Sequence, residues 1–147
     1  MDLARCLEEV ESALDDLINE NKNIPVIVEG RKDQRALRKL GLDGIIIMIN
    51  TGMSLSDFSD WISDRYDHVI ILSDWDRRGG SLCRRLKELL HGRIQLNLEI
   101  RQRLSTYAMI KKVEGLPSWL ETVRQRLEEV SANHVSSSKR KISSMDD

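Results

Sequence analysis

Four short apolar runs punctuate the chain: Ile24-Pro25-Val26-Ile27-Val28, Ile45 to Ile49, Val69 to Leu72, and a weaker alternation from Arg93 to Leu98 carried by Ile94, Leu96 and Leu98. Runs this short and β-branched predict strands. The third, wholly apolar, predicts a strand buried on both faces, and the fourth a half-exposed edge. Helical periodicity fills the intervals. Ala36, Leu37 and Leu40 predict a helix that follows Arg31-Lys32-Asp33 and closes at Gly41. Ser54 or Ser56 caps a second helix through Phe58, Trp61 and Ile62 to Arg65. A third is expected from Ser81 to Leu90, after a tight turn at Gly79 and Gly80. Strands separated by helices imply parallel crossovers, since each needs about a dozen residues. The expected fold is therefore α/β and Rossmann-like: about four parallel strands flanked by helices, with further helices at both ends.

Before the first strand, Leu3, Leu7, Val10, Leu14 and Leu17 recur at alternating spacings of four and three, the stripe of an amphipathic helix. Its partner is either the domain's own sheet or a second copy of the chain. After the fourth strand, Ile100, Leu104 and Tyr107 predict a short helix, and Leu120, Val123, Leu127 and Val130 another over Ser118 to Val130. The segment SANHVSSSKRKISSMDD lacks an apolar face and is expected to be disordered. The expected division is thus a helix over 1–22, an α/β domain over 23–98, a helical extension over 99–130 and a tail over 131–147.

Composition narrows the function classes by exclusion. In 147 residues, 23 Lys and Arg stand against 24 Asp and Glu, so the chain is no simple polycation and any cationic surface must be local. Cys6 and Cys83 lack paired spacing, and His68, His91 and His134 are scattered, which leaves neither a disulfide framework nor a zinc motif. No apolar run approaches the roughly 20 residues that span a bilayer. The expectation is a cytoplasmic protein with no membrane partner.

The chemistry gathers at the strand ends. Glu29-Gly30 follows the first apolar run, Asn50-Thr51-Gly52 the second, and Ser73-Asp74-Trp75-Asp76 the third. In parallel sheets ligands bind beyond the carboxyl ends of the strands, near the point where strand order reverses. With a strand order of 2-1-3-4, Glu29 would converge on Asp74 and Asp76. If the extended backbone persists past Ser73, the two aspartates face one way and Trp75 the other. Three carboxylates without histidine or cysteine suit a hard cation, magnesium first and manganese second. Arg31 and Lys32 border the glutamate, while Arg77, Arg78, Arg84 and Arg85 follow the aspartates. Cations around such a site point to a phosphodiester substrate, RNA or DNA. The plainer reading of any one of these arginines is a solvated helix face, and that of one aspartate a helix cap. Gly30, Gly52 and Gly79 are expected to supply the turns. A phosphotransfer domain also places aspartates at strand ends. Here the pair follows the third strand, and no lysine lies on a further strand.

VEGRKD from Val28 to Asp33, the Asn50-Thr51-Gly52 turn and SDWDRRGG from Ser73 to Gly80 together resemble the Toprim domain. That domain is shared by topoisomerases, bacterial-type primases, OLD-family nucleases, recombination-mediator proteins and the bacterial ribonuclease that matures 5S ribosomal RNA. The resemblance covers Asn23 to Leu98 and is most marked to short stand-alone Toprim proteins, where it extends over Leu98 to Leu120 with RQRL and VEGLPSWL. It implies acid-base work for Glu29 and magnesium binding by Asp74 and Asp76, making these three the catalytic and metal residues. The first expectation is a magnesium-dependent nuclease. The alternative is a non-catalytic, metal-dependent nucleic-acid-binding module, as a homodimer or within a larger nucleoprotein assembly.

Overall fold

The structure is a computed structural model that describes residues 2–145, with side chains described as far as Asn133. Helix α1 (Leu3–Asn21) leads into β1 (Val26–Val28), α2 (Arg31–Lys39), β2 (Ile46–Met48), α3 (Leu55–Arg65), β3 (His68–Ile71), α4 (Arg77–Leu90) and β4 (Gln95–Asn97). Helix α5 (Glu99–Tyr107), a 3-10 turn (Val113–Gly115) and α6 (Leu116–Met145) follow. All strand pairings are parallel, as the crossovers imply, and the order is β2-β1-β3-β4, the one that makes the first and third strands neighbours.

Alternation along the two central strands divides the interior. Val26, Val28, Ile70 and Leu72 point to one face, where they pack with Cys6, Val10, Leu14 and Leu17 of α1, Leu37 of α2, and Ile100 and Leu104 of α5. Ile27, Val69 and Ile71 point to the other, onto Phe58 and Ile62 of α3 and Leu86 and Leu90 of α4. The stripe of α1 is thus covered by its own chain. Each such large apolar side chain contributes about 1.5–3 kcal/mol when fully buried. The edge strand β4 is the most solvated, with Gln95 exposed and Leu96 and Asn97 half-buried.

Two elements depart from expectation. Helix α4 begins at Arg77, so Gly79 and Gly80 lie in its first turns and form no tight turn. Asp76 is the reason: its carboxylate accepts the Gly79 N–H at 2.7 Å and caps the helix before the glycines. Helix α6 continues beyond Val130 into the segment expected to be disordered, and no glycine or proline follows Pro117 to stop it. Asp146 and Asp147 of that segment lie outside the described residues, as do the side chains beyond Asn133.

Asn21 fastens α1 to the sheet. It is 1 % exposed, donates from Nδ2 to the carbonyls of Ile24 and Ile45 at 3.0 Å each, and accepts the Gly44 N–H at 2.9 Å. Replacing it by alanine removes three hydrogen bonds to part-buried backbone groups, of which the Ile45 carbonyl alone keeps another partner, the Val26 N–H. Asn21→Ala should therefore cost about 2–3 kcal/mol of stability, read as a lowered urea midpoint; a change within error would show that these bonds are replaceable.

Candidate functional site

The site is set by topology before any side chain is placed. From β1 the chain leaves toward one face of the sheet through α2, and from the neighbouring β3 it leaves toward the other through α4. A crevice must open between them. The Leu72 N–H still pairs with the Ile27 carbonyl at 2.8 Å, which carries the β1–β3 ladder to the brink of that crevice. Glu29 and Asp74 follow directly. Glu29 Oε2 accepts the Asp74 backbone N–H at 2.8 Å, so the two strand ends are tied by one charge-assisted bond.

The acidic loop is held on every side. Ser73 is buried and its hydroxyl donates to the Gly79 carbonyl at 2.9 Å. Arg101 of α5 donates from Nε to the Ser73 carbonyl at 3.0 Å and from Nη2 to the Asp74 carbonyl at 2.7 Å. The Trp75 N–H reaches the Lys111 carbonyl at 3.0 Å and its indole N–H the Ile110 carbonyl. Trp75 also packs against the first core, as expected of a side chain turned away from the aspartates. Asp74 Oδ1 accepts the Val113 N–H at 2.8 Å. The stretch between α5 and the 3-10 turn is therefore a wall of the site.

Glu29, Asp74 and Asp76 each engage one oxygen with a backbone N–H. Beyond these backbone bonds, the Asp74 and Glu29 carboxyls lie within hydrogen-bond reach of each other, a contact that favours a proton on Asp74. Burial pushes the Asp74 carboxyl up to about 6. The Val113 N–H opposes this, and the negative charges of Glu29 and Asp76 reinforce it. Asp33, 7 % exposed, is likewise raised by burial and by the charges of Asp74 and Glu114, although the Gly30 N–H bonded to it at 3.0 Å pulls the other way. Glu29, Asp33, Asp74, Asp76 and Glu114 thus form one mutually repelling neighbourhood.

The crevice is an open cleft of about 990 Å³. Glu29, Asp33, Asp74 and Glu114 line it together with six cations: Arg31, Lys32, Arg77, Arg78, Arg85 and Lys112. Among the described residues, the ion pairs lie elsewhere, at Arg93–Asp60, Arg103–Asp16 and Arg124–Glu11. The cleft therefore presents unpaired charge of both signs. Of the expected residues, Asp76 caps α4 and does not line the cleft, though its charge reaches Asp74. Arg84 stands outside it as well, two turns along α4 from Arg77.

The glycines divide. Gly52 has φ of 87°, a conformation that strongly favours glycine, in the turn after β2. Gly30 is extended, with nothing within 4 Å of where a Cβ would sit, so sterics do not demand a glycine in the role expected for it. Gly79 is required by close packing of the helix start on the acidic loop, since a Cβ there would stand 2.0 Å from the Asp74 carbonyl oxygen. Arg101, Lys112 and Glu114 were not foreseen as site residues, and Asp33 only as a partner for arginines. The one signal for Lys112 and Glu114 was a polar, glycine-containing break between two helical patterns, from Met109 to Gly115.

The donor set consists of oxygen only, which fits magnesium or manganese. Among the described residues no three acidic, histidine or cysteine groups stand together as a complete metal cage. The residues fit a hydrated ion held by one or two carboxylates, with substrate oxygens supplying the rest.

Residues 25–114, from just before β1 to Glu114, match the Toprim domain. The chain belongs to the Toprim domain family. Among its relatives are UPF0292 proteins of Thermoplasma volcanium, 42% identical over 102 residues (69% of this chain, 86% of that one), and of Methanosarcina acetivorans, 38% identical over 124 residues (82% and 85%). A solved structure, a putative protein from Aquifex aeolicus, superposes with a TM-score of 0.62 at 25% identity, covering 71% of this chain and 94% of that one. The Toprim match thus takes in β4, α5 and the wall that closes on Asp74. No helix among the described residues is long and apolar enough to cross a membrane.

Two outcomes follow for this Toprim site. Gly79→Ala should force α4 away from Asp74 and lower the thermal midpoint markedly; a wild-type midpoint would show that the contact gives way freely. Asp74, raised from 3.8 to about 6, binds its proton more tightly when folded. Its contribution is complete below the unfolded value and is lost as pH rises through about 6. In chelator, Asp74→Asn should therefore gain stability relative to wild type as pH rises from about 4 to about 7.5. A pH-independent difference between the two would refute this assignment.

Proposed function

We propose that this protein is a magnesium-dependent enzyme acting on nucleic-acid phosphodiesters, by hydrolysis. The observation that carries the proposal is the charge left unpaired in the cleft: carboxylates in the middle and cations on both banks. A metal ion would satisfy the first set and a phosphate backbone the second. Membership of the Toprim family supports metal-dependent, nucleic-acid-related chemistry over other uses of an α/β crevice.

In this reading the carboxylates of Asp74, in the cleft, and of Asp76, beside it, would hold the ion, and Glu29 would serve as acid and base. When bound, the ion polarises a phosphate oxygen and offsets charge developing on it. Arg31 and Lys32 on one bank and Arg77 and Arg78 on the other grip phosphates and set the backbone across the carboxylates. Glu29, fixed through Oε2, takes up or returns a proton at Oε1. Arg101 keeps the Ser73 and Asp74 carbonyls turned away from the anionic substrate.

A second reading rests on the same lining, since carboxylates and cations placed this way can bind metal and phosphate without chemistry. Here the same cleft binds metal and nucleic acid without turnover, as a module of a larger assembly.

Glu29→Gln keeps an oxygen for the Asp74 N–H and removes the charge. It should lower magnesium-dependent cleavage of a mixed pool of structured RNA and DNA by about 100-fold or more, and Asp74→Ala should abolish it while the fold persists by circular dichroism. Undiminished cleavage in either variant would sink the enzymatic reading. Metal-dependent binding with no product in a single turnover would establish the binding module instead.

A further inference from the structure

The cleft has cations in plenty and no ring to stack a base upon. The sequence holds three tryptophans, two tyrosines and one phenylalanine, and each is committed elsewhere. Phe58 and Trp119 are buried in opposite cores, 2 % and 9 % exposed. Trp75, though it sits between the two aspartates in sequence, turns onto the first core and spends its indole N–H on the Ile110 carbonyl. Trp61 and Tyr66 pack edge to face with centroids 6.5 Å apart, just before the start of β3 and so at the end of the sheet opposite the crevice. Tyr107, at the end of α5, lies under the Arg5 guanidinium at 5.8 Å. The apolar groups that do line the cleft are aliphatic, among them Ile49, Met53 and Leu55.

Proteins that hold unpaired strands draw sequence-tolerant affinity from bases stacked on aromatic side chains, along with phosphate contacts. Take the stacking away and charge density decides. A duplex carries one phosphate charge per about 1.7 Å of axis and releases more counterion per contact than a single strand, with salt slopes of about −0.9 against −0.7 per phosphate. The cations are also spread over two banks. Arg31 and Lys32 open α2, Arg77, Arg78 and Arg85 lie on α4, and Lys112 stands on the wall between α5 and the 3-10 turn. Such a spread suits a broad polyanion more than a threaded strand.

We infer that the nucleic acid taken by this cleft is double-stranded, gripped through its phosphates with the bases left in their stack and unread. The inference rests on the reading of the cleft as a nucleic-acid site and narrows it to a substrate class. The shared chemistry is a paired phosphodiester backbone, whether of RNA or of DNA.

The test is equilibrium binding by fluorescence anisotropy of the wild-type chain, with calcium in place of magnesium. The probes are a mixed-sequence RNA duplex, the DNA duplex of the same sequence, and each of their separated strands at equal length. Either duplex should bind about 10-fold or more tightly than its strands, with log affinity falling by about 0.9 per phosphate contacted for each unit of log salt. Scrambling the sequence should change duplex affinity less than about 3-fold. The doubly exposed pair Arg77→Ala/Arg78→Ala, which buries nothing, should weaken every duplex alike and flatten the salt slope. Equal or tighter binding of the separated strands, or a strong sequence preference, would overturn the inference while leaving the cleft a nucleic-acid site. No binding of either form would overturn the underlying reading as well.

Discussion

A single hydrogen bond, from the Asp74 backbone N–H to the Glu29 carboxylate at 2.8 Å, joins the ends of β1 and β3. The rest of the site depends on it. It exists because the strand order makes these two strands neighbours although residues 29 and 74 are far apart in sequence. It places a second carboxylate, that of Asp74, where its own charge is opposed by the first. The chain supports this arrangement with backbone N–H groups from Val113 and Gly79 and with the Arg101 guanidinium on two loop carbonyls. None of these gives either carboxylate a full counter-charge. Burial first, and the charge of Glu29 after it, raise the Asp74 carboxyl.

Retained repulsion of this kind is a common mark of a functional site, where local stability is given up for readiness to bind. The neighbouring cations do not relieve it, because among the described residues none of those lining the cleft forms an ion pair with its carboxylates. The helix starts at Gly30 and Asp76 keep Arg31, Lys32, Arg77 and Arg78 exposed on the banks while the acids stay at the floor. Both signs are therefore displayed to solvent at short range, and neither is consumed by the fold.

Much of this was legible from local pattern. The wholly apolar run Val69 to Leu72 declared a doubly buried strand, and the spacing of the runs implied parallel crossovers; Glu29 meets Asp74 because the strand order, which spacing does not fix, sets β1 beside β3. What local pattern could not carry was contact across sequence. Arg101 shares α5 with Arg103, and nothing in its spacing marks it as the one that reaches the acidic loop. Glu114 and Lys112 lie in a break that any loop might show. Gly79 was misassigned because a glycine pair after an acidic loop reads equally well as a turn or as the tight seat of a helix. Only the distance from its missing Cβ to the Asp74 carbonyl decides between them. The reach of α6 past Val130 was hidden for a similar reason: a segment without an apolar face gives no periodicity from which to read a helix.

The bond from the Val113 N–H to Asp74 also orders events in time. During synthesis both acidic motifs leave the ribosome well before the segment that closes over them. A nascent chain that ends before α5 carries Glu29, Asp74 and Asp76, yet lacks the donor for Asp74 Oδ1, the Arg101 clamp and the carbonyls that seat Trp75. Closing that long loop costs chain entropy that only the finished contacts repay. The acidic loop therefore lacks these partners until the closing segment has emerged, and the site is complete only once that segment is in place.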